Sequence, residues 1–334
     1  MSFATPKKSS WQKQTAVVIS DSPNMHMLLR ELLRPYSWTV SESTSSSKLA
    51  TNLVKMGAAN LIIIDDSLKS PAYLNARYLM ADPVTLCTPK LSFLLSARDT
   101  EAQAMLKMGV SSVVFKPLTP AKFVPGFAAL IRNWEKEPYI SLRRSNYLYL
   151  RGEETKAVMA LARLMQVPEV HSTCAQAIAM HLRRSQKLKE AEKVLLTSLK
   201  RSPRELGTIL ALADLYLHAA MPKLAHKLLL GARTAFSQSM AMVPDLVQSA
   251  LMLGQLDDAI HSLNLVLKRG DIDEMTLSFL GRLIYAEGRE GEAERVLTAN
   301  GGHFKKLHAS WQAADVQGAA AAAAPAMPPT VIAS

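Results

Sequence analysis

The sequence predicts an α/β domain, a doubly wound five-stranded parallel sheet, followed by an all-α solenoid of stacked helix pairs. Three observations predict it. Five short apolar runs alternate with amphipathic stretches over residues 15–134, the alternation stops near residue 137, and from there alanines recur every 34 residues. The bulk numbers agree. A chain of 334 residues with 49% hydrophobic and 20% charged side chains has enough apolar surface for a sizeable core, and 6% aromatics with abundant Leu, Ala and Met favours helices over an all-β fold.

The five runs are TAVVIS, SWTVSE, NLIIID, KLSFLLS and SSVVF. Each is short, rich in β-branched or aromatic residues and bounded by polar, Gly or Pro residues, so each reads as a strand. MHMLLRELLRPY, SKLATNLVKMG, PAYLNARYLMA and TEAQAMLKMG lie between them, and TPAKFVPGFAALIRNW follows the last. These have helical spacing, and several close on Gly or Pro. Five β/α units in about 120 residues imply a parallel sheet covered on both faces.

Beyond residue 137 the strand signal is lost. Ala157, Ala191, Ala225, Ala259 and Ala293 stand 34 residues apart, and four residues beyond each is Leu161, Leu195, Leu229, Leu263 or Leu297. Two helices approach closely only where a small side chain sits at the crossing. A leucine one turn later, on the same face, fills the space between pairs. Five residues before each alanine, Gly152, Gln186, Ala220, Gly254 and Gly288 mark the turn inside each pair. Nine before each stands Leu148, Leu182, Tyr216, Ala250 or Ile284, an apolar contact from the first helix. Pro203 falls where the second helix of its pair should stop.

This period and pattern resemble the tetratricopeptide (TPR) repeat family over residues 138–307, as five repeats starting near 138, 172, 206, 240 and 274. The first and fifth depart most, through Arg144 and Asn300. The resemblance implies a superhelix whose first helices line a concave protein-binding groove. Carried over, the groove positions are Leu142, Asn146, Tyr149, Gln176, Met180, Arg183, Arg184, Asp214, Leu217, His218, Arg282 and Tyr285. Arg183, Arg184 and Arg282 are suited to pairing with carboxylates of a bound peptide.

Four polar residues end predicted strands of the first domain: Asp21 after VVIS, Asp65 after LIII, Ser96 after FLL and Lys116 after VVF. In an open parallel sheet the strand C-termini share one edge, where ligands bind. The order Asp, Asp, Ser, Lys-Pro resembles the receiver domain of response regulators, a flavodoxin-like fold, over residues 14–134. SDSPNMHMLLRELL, ANLIIID and LLSARDTEAQAMLKMGVSSVVFKPLTP match its flanks. The resemblance implies that Asp65 accepts a phosphoryl group from a partner histidine kinase, giving an aspartyl-phosphate. It implies a magnesium ion bridging Asp21, Asp65 and the backbone carbonyl of Ser67. Lys116 and the Ser96 hydroxyl would hold phosphoryl oxygens, and the Lys116–Pro117 bond would be cis.

Three positions depart from the family. Ser20 replaces one of two acids after the first strand, which should weaken metal binding, since magnesium can take waters as ligands. Val113 holds the aromatic switch position, and Lys69 stands where a proline is usual, with Pro71 a little later. Asp66 should point away from the pocket, and His26 should be a surface residue of the first helix.

The expected function is a two-component response regulator. Its receiver accepts a phosphoryl group on Asp65 and controls protein binding by the TPR part. The alternative is a pseudo-receiver scaffold that binds partners without phosphorylation. A receiver performs only slow chemistry on itself, so an enzyme in the turnover sense is not expected. No Walker loop, GxSxG elbow, HExxH, zinc spacing, helix-turn-helix or cyclase domain is present. Net charge is +11, but it is spread: 16 Lys/Arg against 10 Asp/Glu before residue 138, and 23 against 18 after. Without a basic run or a basic-aromatic ladder, nucleic acid is not expected as a partner.

Cys87 and Cys174 form neither metal spacing nor a disulfide framework, which fits a reducing cytoplasm. The polar start at residues 1–14 lacks the apolar core of a signal peptide, and no run is long enough to span a bilayer. Both that segment and the Ala/Pro-biased residues 308–334 are expected to be disordered tails.

Overall fold

The computed structural model describes residues 14–67, 71–95, 99–236, 239–269, 274–301 and 304. Apart from Gln14, the two expected tails lie outside these residues. The chain divides into two compact units, Met1–Leu215 and Tyr216–Ser334.

In the first unit, β1 (Thr15–Ile19), β2 (Thr39–Thr44), β3 (Leu61–Asp65), β4 (Lys90–Leu94) and β5 (Ser112–Phe115) form one parallel sheet in the order β2-β1-β3-β4-β5. This is a doubly wound order, with the winding reversing between β1 and β3 and the crevice at the strands' carboxyl ends. Every residue of β3 and β4 is buried, as a sheet covered on both faces requires. The helices between strands are α1 (Pro23–Leu33), α2 (Ser47–Lys55), α3 (Ala72–Leu79) and α5 (Asp99–Met108), and α6 (Pro120–Trp134) follows the last strand. A short helix, α4 (Pro83–Leu86), stands between α3 and β4. Its N-cap is Asp82, whose side chain accepts the Val84 N–H, and Pro83 opens it.

α6 covers its face with a run of aromatic contacts: Phe127 meets Tyr36, Trp38 and Phe123 with centroids 5.2, 5.9 and 5.3 Å apart. Gly126 lets the helix close on β5, since a Cβ there would lie 3.0 Å from Val114 Cγ2.

The helical part of the first unit comprises α7 (Tyr139–Leu150), α8 (Glu154–Leu164), α9 (His171–Arg184), α10 (Leu188–Arg201) and α11 (Leu206–His218), the unit ending within α11. The second unit continues through α12 (Pro222–Arg233), a 3-10 turn at Met240–Met242 running into α13 (Val243–Met252), α14 (Leu256–Arg269), α15 (Glu274–Ala286) and α16 (Glu290–Ala299).

The 34-residue register becomes physical in three ways. The five alanines are fully buried, and the five leucines one turn later are at most 2% exposed. The five turn residues all have left-handed backbone, with φ of 73° at Gly152, 59° at Gln186, 54° at Ala220, 71° at Gly254 and 75° at Gly288. The same reverse hydrogen bond then closes each first helix, donated to the carbonyls of Leu148, Leu182, Tyr216, Ala250 and Ile284. This is the Schellman closure, which satisfies a carbonyl that the helix end would leave free. α10 stops at Arg201, two residues before Pro203.

No described helix is long and apolar enough to cross a membrane.

Candidate functional site

β3 and β5 are separated by β4, yet the chain leaving β5 brings Lys116 back over the end of β3. Lys116 Nζ lies 2.6 Å from Asp65 Oδ1 and donates to the Asp66 carbonyl at 2.7 Å. The other carboxylate oxygen, Asp65 Oδ2, accepts from the Ser20 hydroxyl at 2.7 Å. Ser20 in turn accepts the Ser22 N–H at 3.0 Å, which fixes its orientation. Asp65 is 1% exposed, so its charge is compensated by one ammonium and one hydroxyl rather than by water. The Lys116–Pro117 peptide bond is cis.

Asp21 is exposed and accepts from Ser67 Oγ at 2.7 Å. The ends of β1 and β3 are therefore joined twice, by Ser20–Asp65 and by Asp21–Ser67. Asp66 faces away, as expected. Its Oδ1 accepts the Ala72 N–H at 2.8 Å, at the start of α3, and its Oδ2 accepts the Leu95 N–H at 3.2 Å. Ser96 and Lys69 lie outside the described residues. His26 is half-buried on α1, its pKa lowered by burial and by Arg30.

Among the described residues no three His, Cys, Asp or Glu side chains come together. The donor set at the sheet edge is two hard carboxylates, Asp21 and Asp65, with Asp21 open to solvent. These are the residues that would hold a magnesium ion, which takes one or two carboxylates and fills its octahedron with water.

Apart from the exposed Arg184, the groove positions of the first unit are buried or half-buried. Asn146 Nδ2 donates to Thr88 Oγ1 at 3.0 Å. Arg184 lies 3.5 Å from Asp82, which also holds Lys55 at 2.6 Å. Leu142, Tyr149 and Gln176 are buried, and burial pushes the Tyr149 phenol up, with neighbouring Cys87 adding to it. Arg183 pairs with Asp214. Met180, Arg183 and Asp214 line a small cavity with Arg77 and Met80 of the α3 segment. In the second unit Leu217 is buried, while His218, Arg282 and Tyr285 are partly exposed.

Residue reasoning missed three of these partners. Ser20 registered only as a lost acid, although a hydroxyl beside an Asp-bearing strand is a donor. Asp82 carried a signal, since Asp-Pro is a helix start. Thr88 carried none.

No protein-family model and no curated protein matches the chain. Among solved structures, the chain is similar to MamA from Desulfovibrio magneticus RS-1 (residues 41 to the end) at 15% identity and TM-score 0.40, covering 53% of this chain and 96% of that one. A MamA RS-1 ArsTM double mutant matches at 16% identity and TM-score 0.40, covering 52% and 96%.

Proposed function

We propose that the chain is a phosphorylation-controlled adaptor: a receiver-like domain that accepts a phosphoryl group on Asp65, coupled to TPR-type helix pairs that bind another protein. The observation that carries this reading is the Asp65–Lys116 contact of 2.6 Å at the carboxyl edge of a doubly wound sheet. A carboxylate oxygen of Asp65 attacks the phosphorus of a phosphohistidine on a partner kinase. The P–N bond breaks, its electron pair returns to the imidazole, and that ring takes up a proton. Lys116 moves its ammonium from the carboxylate to a phosphoryl oxygen, keeping charge neutralised through the transfer. A magnesium ion held by Asp21 and Asp65 would supply further neutralisation of phosphoryl charge. The Ser20 hydroxyl stays on the second oxygen of Asp65 and orients the carboxylate.

The second reading is a scaffold whose Asp65 is never modified. The Ser20–Asp65 hydrogen bond favours it, because it occupies an oxygen of a carboxylate already sealed from solvent. Incubation with labelled acetyl phosphate and magnesium separates the two. The adaptor reading expects acid-stable, base-labile label on wild type and none on Asp65→Asn; an unlabelled wild type leaves the scaffold.

A further inference from the structure

In the first unit the segment 71–89, carrying α3 and α4, rests on the inner helices of the first repeats. α4 packs against both α7 and α9. The polar contacts are Thr88 with Asn146 and Asp82 with Arg184. Just beyond, Lys107 at the end of α5 pairs with Glu205 at 3.2 Å, at the start of α11. Gly207, in the first turn of α11, shows how close the approach is. A Cβ there would lie 2.8 Å from Met80 Cε, and 3.0 Å from both Gln176 Nε2 and the Met108 carbonyl. Helix propensity alone would favour almost any residue over Gly at this point. The glycine is explained by the neighbouring domain's backbone.

We infer that the α3–α4 segment is a built-in occupant of the inner face of α7, α9 and the start of α11, closing that part of the groove to outside protein ligands until it is displaced. This rests on the adaptor reading only in taking the inner helices as the protein-binding face. The occupant is tied to the candidate phosphoacceptor by covalent neighbourhood. Asp66, next to Asp65, holds the first N–H of α3, and the same residue's carbonyl holds Lys116. A rearrangement of Lys116 at Asp65 therefore pulls on the start of α3, the helix that leads directly into the α4 segment packed on α7 and α9. This route runs through α3, and does not need the aromatic residue that Val113 replaces.

The chain's two cysteines read the closure directly. Cys87 follows α4 and Cys174 lies on α9, and both are fully buried. Each thiol is raised by burial, Cys87 to about 12. The full-length protein is treated with Ellman's reagent under native conditions. In wild type both thiols should react at least a hundredfold more slowly than in urea. Gly207→Leu should speed both at least tenfold and in step, with helix content by circular dichroism unchanged. Arg184→Glu, which sets a carboxylate against Asp82 from a half-exposed position, should do the same more weakly and decides the matter if Gly207→Leu fails to fold. Wild-type thiols as reactive as in urea overturn the inference. So does a folded variant that releases neither thiol or only one. No phosphoryl donor enters the assay, so a negative labelling result at Asp65 leaves this outcome readable, and the reverse.

Discussion

Two lysines at the ends of neighbouring strands of the same sheet have opposite environments. Lys116, just past β5, ends on a carboxylate and a carbonyl at the open edge and remains a fifth exposed. Lys90, the first residue of β4, is 1% exposed, and its ammonium donates to the carbonyls of Leu86 and Thr88, at 3.0 and 2.8 Å. Those carbonyls belong to the end of α4 and the turn after it. Burial lowers the Lys90 pKa to about 7, with Cys87 nearby pulling the other way. The difference teaches what each charge compensates. An ammonium facing a buried carboxylate offsets a charge that burial would otherwise penalise. An ammonium facing dipoles fixes the end of a helix and gains little from being charged.

Breaking the first pair should have the largest effect. Lys116→Ala leaves Asp65 buried with a lone hydroxyl partner, and should cost about 3 kcal/mol in urea unfolding. Adding Asp65→Asn should restore most of that loss, because the uncompensated charge disappears. If the double variant is as unstable as the single one, the pair is not what Lys116 contributes.

The second lysine is tested by pH. A folded-state pKa near 7 against an ordinary 10.5 means the unfolded chain holds a proton that the folded chain has released. Stability should therefore rise as pH is raised from about 7 towards 10.5, by a few kcal/mol in all. Below about 7 the penalty is complete and constant. Lys90→Met, similar in volume and without charge, should flatten this rise and equal or exceed wild type at neutral pH. A rise that persists in Lys90→Met would assign it elsewhere.

Asp66 lies between the two regimes, since its side chain caps α3 and its carbonyl holds Lys116. Asp66→Ala removes the acceptor of the Ala72 and Leu95 N–H groups and should cost about 1–2 kcal/mol. The same substitution should raise amide hydrogen exchange at the start of α3. Unchanged exchange there would remove the link between the site and the helix.

The smallest change is a control remote from both lysines. Gln186 holds φ of 59° in the turn between α9 and α10, a conformation that an L-residue with a Cβ adopts at a cost. Gln186→Gly should be neutral or gain up to about 1 kcal/mol, where Gly288→Ala, at φ 75°, should lose about as much. Neither should move the pH profile of Lys90.

The repeats were legible because their determinants are local. A buried alanine, a leucine one turn on and a left-handed residue five before the alanine recur in one register, and helix ends follow from backbone geometry at the turn. The strands were legible for the same reason: LIIID can hardly be anything else when bounded by polar residues. α4 was not, since four residues are too few to show a period and only Asp82-Pro83 marks its start. Asp65 and Lys116 were legible as residues at strand ends, while the Ser20 contact needed the register of β1 against β3. Asn146, Arg184 and Tyr149 were identifiable as inner-helix positions. That they meet Thr88, Asp82 and the neighbourhood of Cys87 depends on contacts closed over roughly 60 to 100 residues.

By itself the sequence determined the alternation of strands and helices, the 34-residue repeat with its turns, and the acid and the ammonium at the ends of β3 and β5. Those depend on side-chain periodicity and main-chain preference within a few residues. Only the tertiary structure decided that Ser20 is a partner of Asp65, that the buried Lys90 ammonium rests on two carbonyls, and that α4 lies on the inner helices. Such contacts are chosen by the packing of distant surfaces, where one missing Cβ, at Gly207, sets how near two backbones can come.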